Sequence, residues 1–269
     1  MALSHNAPTS AQVANQEQKS SNQTSGMTVF ALFAAAFSMG VNSVWIMHFI
    51  NTSAVKHGVK VQYNLGETIL SLIFILGLAF VGISLAACHK NGLLGNPKTS
   101  DYYITRLQAP KENAAMEMQV QYIVAQIKTG VTWQLVLGGA LIGVGVGAMH
   151  YTGVNAVRAN LKLVMDPVWV LSSIPYAAVG GMAIIWLMFH MHGLKKRIVA
   201  SMILGVAVSS VHFYGYFGGT YTSLPAGEYH PDNFAGEVLV EAEPAVVAAT
   251  LMSSVFRFLF LGIISAGAE

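Results

Sequence analysis

Six runs of about twenty or more apolar residues, spread along 269 positions, decide most of what this chain can fold into. They fall at roughly 28–50, 65–88, 131–154, 168–190, 198–219 and 244–266, and each is close to the ~20 residues that cross ~30 Å of hydrocarbon. A backbone in lipid has no water to pair with, so every run is expected to be a helix closing its own hydrogen bonds. Composition agrees: 54% of residues are hydrophobic and 10% charged, where a soluble domain carries about a quarter charged residues. The chain therefore reads as an all-α, multi-pass protein of the plasma or inner cell membrane, with the lipid bilayer as its first partner.

The formal net charge of +2 is small and dispersed, and without a basic stripe interleaved with aromatics no nucleic-acid partner is expected. Cys88 is the only cysteine, which excludes an internal disulfide and every Cys-x-x-Cys motif. The sequence holds no Ser-His-Asp constellation, His-Glu-x-x-His, phosphate loop or dinucleotide fingerprint, so no catalytic residue is assigned. Residues 1–26 are rich in Ser, Asn, Gln, Thr and Ala and are expected to form a disordered cytoplasmic tail ahead of a membrane domain spanning 27–269. They do not read as a cleavable signal peptide, because the first apolar segment, starting at Met27, is long enough to span.

Short cytoplasmic loops carry the excess of Lys and Arg. Lys19, Lys90, Lys98, Arg106, Lys111, Lys128, Lys195, Lys196 and Arg197 fall on one side of the six spans, against Lys56, Lys60, Arg158 and Lys162 on the other. Both termini are thus expected in the cytoplasm, with the first, third and fifth helices running outward. Their outer ends read WIMHFI (Trp45 to Ile50), GAMHYTG (Gly147 to Gly153) and SSVHFYG (Ser209 to Gly215). This parity puts His48, His150 and His212 at similar depth, just inside the outer headgroups.

After each histidine the chain turns, and the return helix opens on a second recurring pattern: YNLGETILS from Tyr63, MDPVWVLSS from Met165 and AEPAVVAAT from Ala242. His48 to Asn64 and His150 to Asp166 are separated by the same 16 residues, and His212 to Glu243 by 31, the third loop carrying extra residues that include Tyr229, His230 and Pro231. A matched interval points to three copies of one helical hairpin. Asn64, Asp166 and Glu243 align. Their plain reading is helix capping, with Pro167 and Pro244 at first helical positions; a sharper one makes them second-shell partners of the histidines.

On the third helix Gly139, Gly143 and Gly147 recur every four residues on the way to His150, and Gly205 and Ser209 echo them before His212. Small residues at that spacing let helices approach closely, so the histidines are expected to face other helices, where a polar group is costly enough to suggest function. Imidazole suits copper, zinc, iron and nickel, and a thioether adds a preference for copper(I). Met47-His48 and Met149-His150 supply both kinds of ligand. Adjacent helical residues diverge by about 100°, so a site would draw one group from each of several helices rather than two from one pair. Haem is less expected than a single ion such as copper or zinc, since nothing in the sequence places two histidines on opposite faces of a macrocycle. A lone histidine beside an aromatic reads as an interfacial belt residue; three in register shift the reading to a shared site.

Hairpins whose outward helices end in Met-His-Phe, Met-His-Tyr-Thr-Gly and Val-His-Phe-Tyr-Gly resemble the MHYT domain, an integral-membrane sensor module, over essentially residues 27–267. The resemblance implies an outward-facing copper site that senses oxygen, carbon monoxide or nitric oxide, and a sensor rather than an enzyme. Carried over by position, it gives Met47 with His48, Met149 with His150 and Tyr151, and His212 with Phe213. Val211 stands where a third methionine is expected and Asn51 where the first motif has glycine, which leaves a histidine-rich rather than a symmetrical three-methionine site. Many members of that family carry a diguanylate cyclase or phosphodiesterase after the last helix. This chain stops at Glu269, so the expectation is either a truncated chain or one that signals through another protein.

The candidate contact for a cytosolic signalling partner lies in the inner loop, 89–130, where Glu112 to Lys128 places Met116, Val120, Ile123 and Ile127 on one helical face. His190 and His192 read as interfacial, and Arg257 as a cation that snorkels inward or pairs within the bundle. The rival function is a metal-dependent membrane enzyme or a metal transporter built on the same histidines.

Overall fold

The computed structural model describes residues 29–54, 60–87, 131–190, 194–224 and 236–266, with single positions at 116, 118, 121, 124 and 234. Among them, six helices are long and apolar enough to cross a membrane: α1 (Val29–Ala54), α2 (Leu65–Ala87), α3 (Trp133–Asn155), α4 (Pro167–His190), α5 (Leu194–Phe217) and α6 (Ala242–Ala266). The chain is a multi-pass integral membrane protein. The tail 1–26 lies outside the described residues, as does most of the inner-loop segment 112–128, of which Met116, Met118, Gln121 and Val124 are helical. Tyr229, His230 and Pro231 in the third loop, and His192, also lie outside them.

The helices start where local chemistry supplies partners for unpaired amides. The Asn64 carboxamide oxygen accepts from the Glu67 amide at 2.9 Å, Asp166 Oδ1 accepts from the Val168 amide at 2.8 Å, and the Thr132 hydroxyl accepts from the Leu135 amide at 3.3 Å. Glu243 lies inside the first turn of α6, which opens at Ala242. Its charge suits a helix N-terminus, but the capping position belongs to an earlier residue.

Lipid gives helices no hydrophobic reason to associate, so close backbone contact has to hold them. Glycine provides it twice. Gly82 of α2 and Gly138 of α3 face each other so tightly that a Cβ on either would sit 2.5 or 2.4 Å from the other's carbonyl oxygen. Gly139 and Gly143 of α3 meet α4, where a Cβ at Gly143 would lie 2.3 Å from Ala178 Cα and one at Gly181 would lie 2.3 Å from Gly139 O. Gly147 differs, with nothing nearer to an added Cβ than Ile174 Cγ1 at 3.9 Å. The buried core follows these contacts, with Ala79, Ile83, Ile142 and Ile185 packed between α2, α3 and α4. The edges of α6 are more open, with Phe256 meeting Phe37 of α1 edge-on at 5.4 Å.

Two features have no counterpart in the sequence reading. The first is a π-helical stretch in α1, Ser38–Trp45, through Gly40, Asn42 and Ser43, residues of weak helical preference. The Ile46 amide reaches back to Val41 O and the Ser43 hydroxyl to Ser38 O. The wider coil leads directly into Met47 and His48, and π segments inside α-helices are often found at functional sites.

The second is a cap of short strands at the histidine end of the bundle: β1 (Gln62–Asn64), β2 (Val157–Arg158), β3 (Leu161–Met165), β4 (Gly219–Ser223) and β5 (Leu239–Glu241). β1 pairs antiparallel with β2, Tyr63 opposite Val157, and with β5, Tyr63 opposite Val240; β3 pairs with β4, Leu163 opposite Tyr221. Each ladder joins loops that follow different helices, and runs of two to five residues are too short to carry a readable alternation. An all-α expectation is therefore right for the membrane part, while the connecting loops are β-paired.

Candidate metal centre

Three turns far apart in the sequence become one cluster. The π-helical entry of α1 delivers His48, the glycine-packed α3 delivers His150 and α5 delivers His212, all buried, at 1%, 5% and 4% exposure. His48 Nδ1 lies 3.1 Å from His212 Nδ1 and 3.2 Å from His150 Nδ1. The rings stand nearly perpendicular, with centroids 5.0 Å apart for His48 and His150, 5.0 Å for His48 and His212 and 5.2 Å for His150 and His212. One ligand atom from each falls within 4.8 Å of the others, and the trio is able to hold a metal ion.

The ring chemistry tests that fit. A neutral imidazole Nδ1 carries either one proton or one lone pair, so His48 cannot make two full hydrogen bonds through a single nitrogen. Two nitrogens each ~2.0–2.1 Å from one tetrahedral ion stand roughly 3.3 Å apart, close to the separations found here. The Nε2 atoms of all three rings are buried without a hydrogen-bond partner, and an unpaired buried polar group costs roughly 1–3 kcal/mol. Beside the rings lies a cavity of about 20 Å³ lined by Val44, Met47, Val146, Met149, Val208 and Val211, among others, room for a single water-sized guest.

Glycine again sets the approach. A Cβ at Gly153, three residues after His150, would lie 2.5 Å from His48 Nε2, and one at Gly215, three after His212, would lie 2.6 Å from His150 Nε2. The rings lean on each other's following turn, which is why the motif ends in glycine on α3 and α5. On α1 the matching position is Asn51, whose amide donates to the Met47 sulfur.

The other expected residues sort by place. Met47 and Met149 line the cavity, and Val211 does so at the third position. Phe49, Tyr151 and Phe213 each set an edge-on ring beside the histidine before them, at 4.9, 4.9 and 5.2 Å. The Tyr151 hydroxyl is hydrogen-bonded to Ser173 Oγ at 2.6 Å, and Trp45 donates to Ser71 Oγ at 2.9 Å, so the aligned serines of the two return helices anchor aromatics beside the cluster. Asn64 and Asp166 spend their side-chain oxygens on helix starts and Glu243 is exposed. None of them reaches an imidazole, so the carboxylate-to-histidine relay that the alignment allows is not formed. Arg257 is exposed on α6 and has no ion pair among the described residues, while His190 lies on Trp186, Nδ1 2.8 Å from its carbonyl.

Arg158 was legible only as a loop charge, and the structure makes it the clamp of the cap. It gives Nε to Glu237 at 2.8 Å and reaches Glu67 at 3.4 Å, tying the loop before α6 to the start of α2. Asn64 also donates to Glu237, at 2.9 Å. Burial works against the Arg158 charge, but hydrogen bonds with Glu237 and Glu67 outweigh it and its pKa is raised. The Arg158 and Asn64 hydrogen bonds hold Glu237 below the ordinary glutamate value. A carboxylate with a lowered native pKa stabilises the fold above its unfolded pKa, and loses that contribution as pH falls through the native value. Melting temperature should therefore drop as pH falls below the ordinary glutamate value of about 4.3, and Arg158→Ala should remove part of that slope; an unchanged slope in differential scanning fluorimetry would contradict the clamp.

A family model described as "Bacterial signalling protein N terminal repeat", MHYT, matches residues 42–94 and 143–201. The bifunctional diguanylate cyclase/cyclic di-GMP phosphodiesterase MucR of Pseudomonas aeruginosa is 27% identical over 211 residues, covering 76% of this chain and 24% of that protein. The cyclic di-GMP phosphodiesterase NbdA of the same organism is 22% identical, covering 71% and 20%, and the signaling protein YkoW of Bacillus subtilis is 20% identical, covering 71% and 20%. The chain thus spans about a quarter or less of the length of these relatives. No solved structure matches it. His48 and His150 fall within the two matched stretches, which are two copies of the MHYT repeat.

Proposed function

We propose that this membrane signalling protein holds one copper ion on His48, His150 and His212 at the outer leaflet and reports a small gaseous ligand, or the ion itself, to a cytosolic output element. The observation that carries the reading is the convergence of three imidazoles from three separate helices, their Nδ1 atoms 3.1 and 3.2 Å apart about His48. Copper is favoured over zinc because the thioethers of Met47 and Met149 line the same cavity, and soft sulfur selects copper(I). The Lys and Arg distribution supports placing the strand cap outside. Kinship to enzymes named for cyclic di-GMP turnover supports a signalling output of that kind, with the loop segment 112–128 as its contact.

Copper, when bound, would supply an open coordination position for a diatomic ligand. The chain's own residues orient the rings, exclude water and tie α1, α3 and α5 together at one point, so that a change at the ion is felt by three helices at once. Metal analysis of the detergent-purified chain loaded with copper(I) should find about one ion per chain; a content below a tenth of that after mild chelation would sink the reading. Uptake of copper into liposomes carrying the chain would instead favour the transporter alternative.

Gly153→Ala tests the ring packing. The added methyl would press on His48 Nε2 from 2.5 Å, so copper affinity is expected to fall about tenfold, ~1.4 kcal/mol, while the unfolding temperature stays close to wild type. Unchanged affinity would mean that the His48 ring does not need this seat.

A further inference from the structure

The cleft that opens between α1, α4 and α5, away from the histidines, is far larger than the cavity beside them. It encloses about 820 Å³, within the ~300–1,000 Å³ usual for ligand pockets. On α5 it is lined by Arg197, Ser201, Gly205 and Ser209 and by the apolar Ala200, Leu204 and Val208 between them, residues three and four apart and so one face of the helix. Arg197 to Ser209 spans about 18 Å of helix, comparable to one leaflet of hydrocarbon, ~15 Å. The opposite wall is mostly apolar, with the hydroxyls of Ser38 and Ser43 beside Met39 and Met188, and methionine side chains adapt to an irregular guest. One end is thus cationic, the length is greasy with scattered hydroxyls, and the far end reaches Met47.

We infer that this cleft binds an anionic amphiphile: a carboxylate or phosphate head at Arg197 and a hydrocarbon chain lying along α5 toward Met47. Arg197 fits the head because guanidinium pairs with planar and tetrahedral oxyanions through forked hydrogen bonds. Chain length fits because the stripe runs from Arg197 to the depth of Ser209 without a second charged lining residue among the described residues. Val44, Met47 and Val208 line both this cleft and the histidine cavity, so the end of the chain touches side chains that also bound the cluster. The inference stands whether or not the histidines hold a metal.

Gly205 makes the test clean. An added Cβ there meets nothing within 4 Å, so Gly205→Leu and Gly205→Trp fill the cleft without a backbone clash. Delipidated protein in detergent would be titrated with oleate, with phosphatidylglycerol and with dodecyltrimethylammonium, and adducts counted by native mass spectrometry. One oleate or one phosphatidylglycerol per chain is expected, with affinity at least tenfold lower in both Gly205 variants. Arg197→Gln should weaken the anionic adducts about tenfold and leave a neutral monoacylglycerol unaffected. Binding of oleate alone assigns a free fatty acid, of phosphatidylglycerol alone a bilayer lipid, and of both the shared head chemistry. Equal adducts in wild type and a folded Gly205→Leu protein, or equal binding of the cationic amphiphile, overturns the proposal. Should Gly205→Trp not fold, the Leu variant and Arg197→Gln carry the same decision.

Discussion

His150→Ala is expected to weaken copper binding by about two orders of magnitude while leaving the protein folded. Structural metal sites are worth roughly 10–16 kcal/mol in all, so one of three imidazoles accounts for about 3 kcal/mol or more, and ~1.4 kcal/mol is a factor of ten. The fold is expected to survive because the cluster contributes little to stability without an ion. The helices are held elsewhere, by Gly82 against Gly138 and by Gly139 and Gly143 against α4. Competition titration against a copper(I) chelator reads the affinity, and size exclusion with thermal unfolding reads the fold. Wild-type affinity in the variant would mean that His150 is not a ligand; loss of the folded protein would mean that the cluster is a packing element.

Gly143→Leu carries the largest expected effect on stability. The new Cβ would sit 2.3 Å from Ala178 Cα and 2.4 Å from its nitrogen, backbone atoms that cannot swing aside as a flexible side chain does. Overpacking of a well-packed core costs typically ~1–3 kcal/mol, and a clash with main chain belongs at or above the upper end. The variant should lose most of its monodisperse yield in detergent or unfold at much lower temperature. Gly147→Ala on the same stripe is the control, since its nearest neighbour stands 3.9 Å from the new methyl. If both variants behaved alike, the close approach of α3 and α4 would not be what holds the bundle.

That pair of glycines also marks the limit of what the sequence could say. Gly139, Gly143 and Gly147 look equivalent as a four-residue repeat, and only the azimuth of α4 decides that two are buried against backbone and one is not. The helices themselves were fully legible, because twenty apolar residues in lipid have one solution, and their bounds differ from the apolar runs by a few residues at most. So was the meeting of the histidines at one end, because parity puts all three there; the small-residue stripe packs against a neighbour on α3 but not on α5, where Gly205 meets nothing within 4 Å. Arg158 was not: its partners Glu67 and Glu237 lie 91 and 79 residues away, and nothing local announces them. The strand cap was hidden for the same reason, each ladder being two to five residues long and joining loops far apart in the chain. Gly153 and Gly215 were visible as motif letters, but their work, seating the neighbouring histidine, belongs to the assembled trio. Of the aligned Asn64, Asp166 and Glu243, the first two spend their side chains on helix starts, as short polar residues at such positions usually do.

Extended X-ray absorption at the copper edge of the loaded, detergent-purified chain tests the central claim most directly. Three imidazole nitrogens gripping one ion predict a first shell of three nitrogen scatterers near ~2.0 Å, with the outer-shell pattern of intact imidazole rings, and the loss of one such ring in His212→Ala. A first shell dominated by oxygen, or one with a single imidazole that persists unchanged in all three histidine variants, would contradict it.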